Sequence, residues 1–196
     1  MKNKKLTIID LFTSCGGLTE GFLKSGKYKG LAHVEWELPM VRTLRSRLEK
    51  KWNHSKNTAL KRVIHFDIQR TDELLNGNWS DLSLNSFSET NHASIIKNGL
   101  KGLVRNTKVD LVVGGPPCQA YSMARRSHSN KLVKDDYRNY LFESFIKVVD
   151  EFRPSVFVFE NVEGMLSAAP GGRKVTDRIF EAFDNCRYDI YLYQKN

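Results

Sequence analysis

Short apolar runs rich in β-branched residues alternate with amphipathic stretches along most of this chain. Residues 6–12, Leu-Thr-Ile-Ile-Asp-Leu-Phe, read as a strand ending in the turn Ser14-Cys15-Gly16-Gly17, and a helix is expected over about 18–26. A second strand is expected at 31–35, then a helix from Pro39 to Lys51 carrying Val41, Leu44 and Leu48 on one face. Further strands are expected at 63–67, 109–113 and 155–160, helices at about 139–152 and 174–185, and a last extended run from Tyr188 to Tyr193. Strands alternating with helices predict an α/β fold with an open, mostly parallel sheet, because parallel neighbours need long crossovers. Ligands of such sheets sit beyond the carboxyl ends of the strands, near the switch in strand order. Glu35, Asp67, Cys118 and Glu160 each close or follow a strand.

Two stretches break this rhythm. Residues 76–98 are rich in Asn and Ser and are expected to form an irregular surface insertion with at most short helices. Residues 119–138 hold Arg125, Arg126, Lys131, Lys134 and Arg138 against Asp135 and Asp136. A basic loop of that kind beside a site could contact phosphates or close over a substrate; a solvated charged loop is the plainer reading.

Composition narrows the class. The chain has 196 residues, the length of one domain or one with a small appendage, and 40% hydrophobic residues, too many for a disordered chain. Its apolar runs are too short to cross a bilayer, and the basic start Met1-Lys2-Asn3-Lys4-Lys5 is followed by Asp10 and by no cleavage signal, so neither a membrane span nor a signal peptide is expected. Cys15, Cys118 and Cys186 are odd in number and widely spaced, which points to no disulfide framework or metal site and to a reducing, cytoplasmic setting. A net charge of +9 (31 Lys and Arg against 22 Asp and Glu) raises the odds of a polyanionic partner without deciding it.

Three strand ends describe a nucleoside site. The turn after the first strand, Asp10-Leu11-Phe12-Thr13-Ser14-Cys15-Gly16-Gly17-Leu18-Thr19-Glu20-Gly21, is glycine-rich but has neither a dinucleotide fingerprint nor a phosphate loop. Glu35, nineteen residues after Gly16, could accept both ribose hydroxyls; Trp36 offers a face for adenine, and Asp67 an acceptor for an exocyclic amine. Gly114-Gly115-Pro116-Pro117-Cys118-Gln119 is a sharper signal, because prolines and glycines fix a turn that presents Cys118 as a candidate nucleophile. Glu160-Asn161-Val162 would bring an acid near it, and a buried glutamate kept protonated can donate to a ring nitrogen.

Taken in order, these residues resemble the cytosine-C5 DNA methyltransferase family. The resemblance rests on Asp10-Leu11-Phe12 with Gly16-Gly17, Glu35-Trp36, Asp67-Ile68, Gly115-Pro116-Pro117-Cys118-Gln119-Ala120-Tyr121-Ser122, Asp136 and Arg138 with Leu141-Phe142, and Glu160-Asn161-Val162. Ser14 departs from the pattern, since the family usually has glycine there. The resemblance implies a Rossmann-like sheet of the S-adenosylmethionine-dependent methyltransferase type, with residues 1–196 forming its cofactor-binding and catalytic part. It implies S-adenosylmethionine as cofactor, S-adenosylhomocysteine as product and no metal. Cofactor contacts would come from Phe12, Thr13, Ser14, Gly16, Gly17, Leu18, Glu35, Trp36, Asp67, Ile68, Pro116 and Leu141. Catalysis would fall to Cys118 and Glu160, supported by Pro117, Gln119, Asn161 and Val162, and double-stranded DNA would be met by Ser122, Arg125, Arg126 and Arg138. A base in a duplex must be flipped out to react, and a bacterial restriction-modification system is the implied setting.

The family's Gln-x-Arg-x-Arg segment and target-recognition region are not found in these residues, so the sheet is expected to be incomplete at its C-terminal edge, with the last run exposed. A split enzyme whose second chain carries the recognition region and a truncated product both remain open, and this chain alone is expected to be weakly active or inactive. Two other classes also stay open: a transfer-RNA cytosine-C5 methyltransferase and a non-catalytic nucleic-acid-binding module. A zinc deaminase, suggested by His33-Val34-Glu35 and Pro117-Cys118, fails because Tyr121 stands where a second cysteine is required. The lack of a phosphate fingerprint disfavours a nicotinamide dehydrogenase.

Overall fold

The computed structural model describes residues 4–117, 141–167, 169 and 172–193. They fall into two compact units, Met1–Gly115 with Glu151–Glu160, and Pro116–Asp150 with Asn161–Asn196. The expected basic loop 119–138, with Cys118, Gln119, Ser122, Arg125, Arg126 and Arg138, lies outside the described residues.

The first unit is built on five parallel strands: β1 (Leu6–Leu11), β2 (Tyr28–Glu35), β3 (Val63–His65), β4 (Leu111–Gly114) and β5 (Val156–Phe159). Their order is β3-β2-β1-β4-β5, so the chain steps outward on one side of β1 and then restarts on the other. That reversal makes the gap between the tips of β1 and β4 the switch point at which open α/β sheets take their ligands. Helices α1 (Gly17–Lys24), α2 (Leu38–Trp52) and α3 (Lys56–Arg62) accompany the first crossovers. Val41, Leu44 and Leu48 of α2 bury themselves on Ala59 and Val63, as the sequence periodicity predicts. Pro39 lies in the first turn of α2, where its missing amide is no loss. Ser55 caps α3 by accepting from the Thr58 amide at 3.2 Å.

Residues 76–98 are more regular than expected. Between β3 and β4 the chain forms α4 (Thr71–Asn76), α5 (Asp81–Phe87), a 3₁₀ turn (Ser88–Thr90) and α6 (Ala93–Val104). Ser80 caps α5 and His92 caps α6, while Trp79 and Phe87 pack on Phe66 with ring centroids 4.3 and 5.1 Å away. Helix α6 is kinked at Gly99 (φ 58°), whose α-carbon lies against the backbone of Leu75. That kink interrupts the 3.6-residue period between Ile95 and Val104, so the apolar pattern is unreadable as one helix.

In the second unit α7 (Leu141–Phe152) and α8 (Val175–Asn185) meet through the rings of Phe145 and Phe183, 6.3 Å apart. Arg178 lies over the Phe142 ring and pairs with Glu143 at 3.0 Å. A 3₁₀ turn follows Asn161-Val162 at Glu163–Ser167. The run expected to be extended at the end of the chain is no strand: residues 189–193 join no ladder among the described residues, and Tyr191 and Tyr193 are about nine-tenths exposed (89% and 91%). Backbone groups in extended chain form a ladder only where a neighbouring strand is present to pair with them. Among the described residues no helix is long and apolar enough to cross a membrane.

Candidate active site

The loop after β1 is held in an unusual shape. Phe12 (φ 57°), Ser14 (φ 49°) and Gly16 (φ 89°) all lie in the left-handed region before α1 begins. Ser14 occupies such a position where the family resemblance calls for glycine, the residue that adopts this conformation without a Cβ penalty. Gly16 has no room for a side chain either, since a Cβ there would come 2.5 Å from Leu44 Cδ1. Gly17 is the opposite case: nothing lies within 4 Å of an added Cβ, and the backbone is open to a ligand.

Glu35 fastens this loop. Its Oε2 accepts from the Ser14 amide at 2.7 Å and its Oε1 from the Glu37 amide at 2.8 Å, although the sequence reading assigns it only to ribose. Each carboxylate oxygen keeps a second lone pair, so clamping the loop and accepting a hydroxyl are compatible. Trp36 stands next to it, 46% exposed, a large flat surface at a strand tip. Asp67 is half-buried beyond β3 and accepts from the Gln69 amide at 3.0 Å; burial pushes its carboxyl above the usual range. Ile68 is buried beside it, and Leu18 packs its side chain on the cluster of Ile8, Leu111 and Val113. Thr13 is buried, with no hydrogen-bond partner for its hydroxyl among the described residues.

On the other side of the switch point Glu160 follows β5, its amide donating to the Gly114 carbonyl at 2.9 Å. Its Oε2 lies 2.5 Å from where a Cβ on Gly115 would stand, so the carboxylate rests directly on the glycine's α-carbon. The expectation of a buried glutamate is not met. Glu160 is exposed, because it tips an edge strand whose Val156 and Val158 are exposed as well. In the second unit the Asn161 side chain donates to the Pro116 carbonyl at 3.1 Å and accepts from the Val162 amide at 2.9 Å. This fixes the chain two residues before Cys118 to the chain following Glu160. Val162 and Pro117 are exposed, and Leu141 and Pro116 are buried.

One group of polar residues was not foreseen. Asp10 of β1 and His33 of β2 are register partners, and the hydroxyl of Thr19 on α1 bonds to both: to Asp10 Oδ2 and, at 3.0 Å, to His33 Nδ1. All three are buried. Burial raises the Asp10 carboxyl to about 7, with the Glu35 charge adding to the effect, and lowers His33 to about 3. The available signal was a polar residue inside each of two apolar parallel strands.

Residues 73–194 match the family model for C-5 cytosine-specific DNA methylases. The chain belongs to that family. It is 37% identical to the Type II methyltransferase M.Bpa9945I of Bacillus paralicheniformis, an alignment covering 94% of this chain and 46% of that protein. It is 33% identical to the Type II methyltransferase M.DdeI of Desulfomicrobium norvegicum, over 94% of this chain and 35% of the relative. The crystal structure of a protein assigned as a DNA modification methyltransferase, encoded within an E. coli prophage, superposes with a TM-score of 0.58 at 26% identity, covering 92% of this chain and 38% of that one. The chain thus spans less than half the length of these relatives.

Proposed function

We propose that this chain supplies the cofactor-binding and catalytic part of a DNA cytosine-C5 methyltransferase of the Type II restriction-modification kind, working on double-stranded DNA in the cytoplasm. Its reaction is methyl transfer from S-adenosylmethionine to C5 of a flipped-out cytosine. The observation that carries the reading is the pairing of two arrangements at one switch point: the Glu35-clamped loop after β1 and the Glu160 carboxylate seated on Gly115 after β4.

The residues fit the cofactor. The open face of Gly17, the exposed Trp36 ring and the spare lone pairs of Glu35 suit a nucleoside that has no pyrophosphate. Phe12, Thr13, Ser14, Gly16, Leu18, Asp67, Ile68, Pro116 and Leu141 complete the proposed contacts. Bound there, the cofactor supplies a methyl group activated by its sulfonium.

C5 of cytosine is a weak nucleophile. The Cys118 thiolate adds to C6 while Glu160 hydrogen-bonds N3, and C5 becomes an enamine-like carbon able to take the methyl group. Loss of the C5 proton and expulsion of the thiolate restore the ring. Asn161 holds the Pro116 carbonyl at 3.1 Å. Gln119, Pro117 and Val162 frame the nucleophile, and Ser122, Arg125, Arg126 and Arg138 meet the DNA backbone.

The test is a covalent trap with duplex DNA carrying 5-fluorocytosine in the presence of S-adenosylmethionine, applied to this chain and to a full-length relative carrying the same residues. The expected result is an adduct that Cys118→Ala abolishes; an adduct persisting in that variant would overturn the reading.

A further inference from the structure

The buried Asp10–Thr19–His33 group has no part in the steps above, yet Asp10 and Thr19 stand on either side of the cofactor loop in the chain. Asp10 is two residues from the start of that loop, and it feels the charge of Glu35, which clamps the loop at Ser14. Its Oδ1 has no partner among the described residues. We propose that Asp10 is a specificity-determining residue, whose buried carboxylate, tied through Thr19 to His33, favours a cationic nucleoside sulfonium over the neutral thioether left after methyl transfer. This rests on the cofactor reading given above.

The physical argument concerns one charge in a poorly polarisable setting. The groups facing Asp10 are the Thr19 hydroxyl from α1 and the His33 imidazole and Glu35 carboxylate from β2; on β4 its register partner is Val113. Burial above all keeps His33 neutral, and the charges of Arg62 on α3 and of His54 act in the same direction. Among the described residues an ionised Asp10 therefore has no adjacent cation to neutralise it, and its field reaches several ångströms with little screening. A sulfonium held by the loop meets that field, whereas a thioether does not.

Thr19 has a single hydroxyl hydrogen, which gives the group two states. With Asp10 ionised, Thr19 donates to Asp10 and His33 donates to Thr19 from Nδ1. With Asp10 protonated the chain reverses: Asp10 donates to Thr19, Thr19 donates to His33 Nδ1, and the imidazole hydrogen sits on Nε2. One proton is taken up in all, and His33 remains neutral in both states.

Calorimetric titration of the full 196-residue chain with S-adenosylmethionine and with S-adenosylhomocysteine, at pH 6 and at pH 8, reads the effect. The preference for the sulfonium is expected to rise about fivefold between the two pH values in the wild type, less than one pKa unit of coupling. The rise should be clearly smaller in Asp10→Asn; what the ligands' own amino groups contribute is the same with both proteins and cancels when the two are compared. Thr19→Val, which removes the donor, should move the transition to higher pH, and Thr19→Ser should restore it. Nitrogen-15 spectra of His33 give a readout free of ligand: its hydrogen should pass from Nε2 to Nδ1 as pH rises in the wild type and stay fixed in Asp10→Asn. A pH dependence as large in Asp10→Asn as in the wild type, or a preference independent of pH in the wild type, overturns this proposal alone. Failure of the wild type to bind either compound overturns the cofactor reading and the proposal with it.

Discussion

The carboxylate of Glu160 sits on the bare α-carbon of Gly115, 2.5 Å from where a side chain would begin. Two neighbouring strand tips, β4 and β5, are thereby joined by a contact that only glycine permits. Gly115→Ala should push the carboxylate away from its place. The expected outcome is a drop in methyl transfer of a hundredfold or so, the usual scale for losing one positioned acid. Cofactor affinity, measured by calorimetry, should change by less than about threefold, since Gly115 lies across the switch point from the Glu35 clamp.

Glu35 acts on the loop before it acts on any ligand. Glu35→Ala leaves the amides of Ser14 and Glu37 without their acceptors, at a cost of about 1–3 kcal/mol for such unmade bonds. Thermal unfolding should register that loss, and cofactor binding should weaken by more than tenfold. Glu35→Gln retains one acceptor oxygen and should fall between the two.

Ser14 tests the backbone alone. It holds a left-handed conformation that costs a non-glycine residue roughly 1 kcal/mol. Ser14→Gly should keep the Glu35 hydrogen bond, which uses the main-chain amide, and relieve that cost. Denaturant midpoints should rise slightly or, where the added freedom of the unfolded chain offsets the gain, stay level; a marked fall would show that the loop shape is not as described.

The Asp10 and His33 titrations have opposite signs. Asp10 is raised from its ordinary value to about 7, so its contribution to stability is full below about pH 4 and lost as pH rises toward 7. His33 is lowered to about 3, so its contribution is full above about pH 6.5 and lost as pH falls toward 3. Between about pH 4 and 6.5 the two slopes cancel. Asp10→Asn should therefore uncover a protein whose stability falls with acid across that window, by a few kcal/mol at about 1.4 kcal/mol per pKa unit. Melting temperatures of the wild type and Asp10→Asn, taken at half-unit steps, check this.

The sequence by itself determined the strands that carry the site, because each is a compact apolar run closed by a polar residue or a glycine. It also determined the family, through Pro116-Pro117-Cys118-Gln119 and Glu160-Asn161-Val162, since side-chain chemistry at fixed spacing survives in one dimension. Tertiary structure alone decided which groups meet. The Ser14–Glu35 bond spans 21 positions and the Pro116–Asn161 bond 45, separations that no local pattern encodes. The helices of residues 76–98 were hidden because they are short and kinked, so their apolar faces are set by what they pack against, Phe66 above all, rather than by a sustained period. The exposure of Glu160 was hidden for a related reason: burial at a strand tip depends on what covers the sheet edge, a property of neighbours in space and not of the residue.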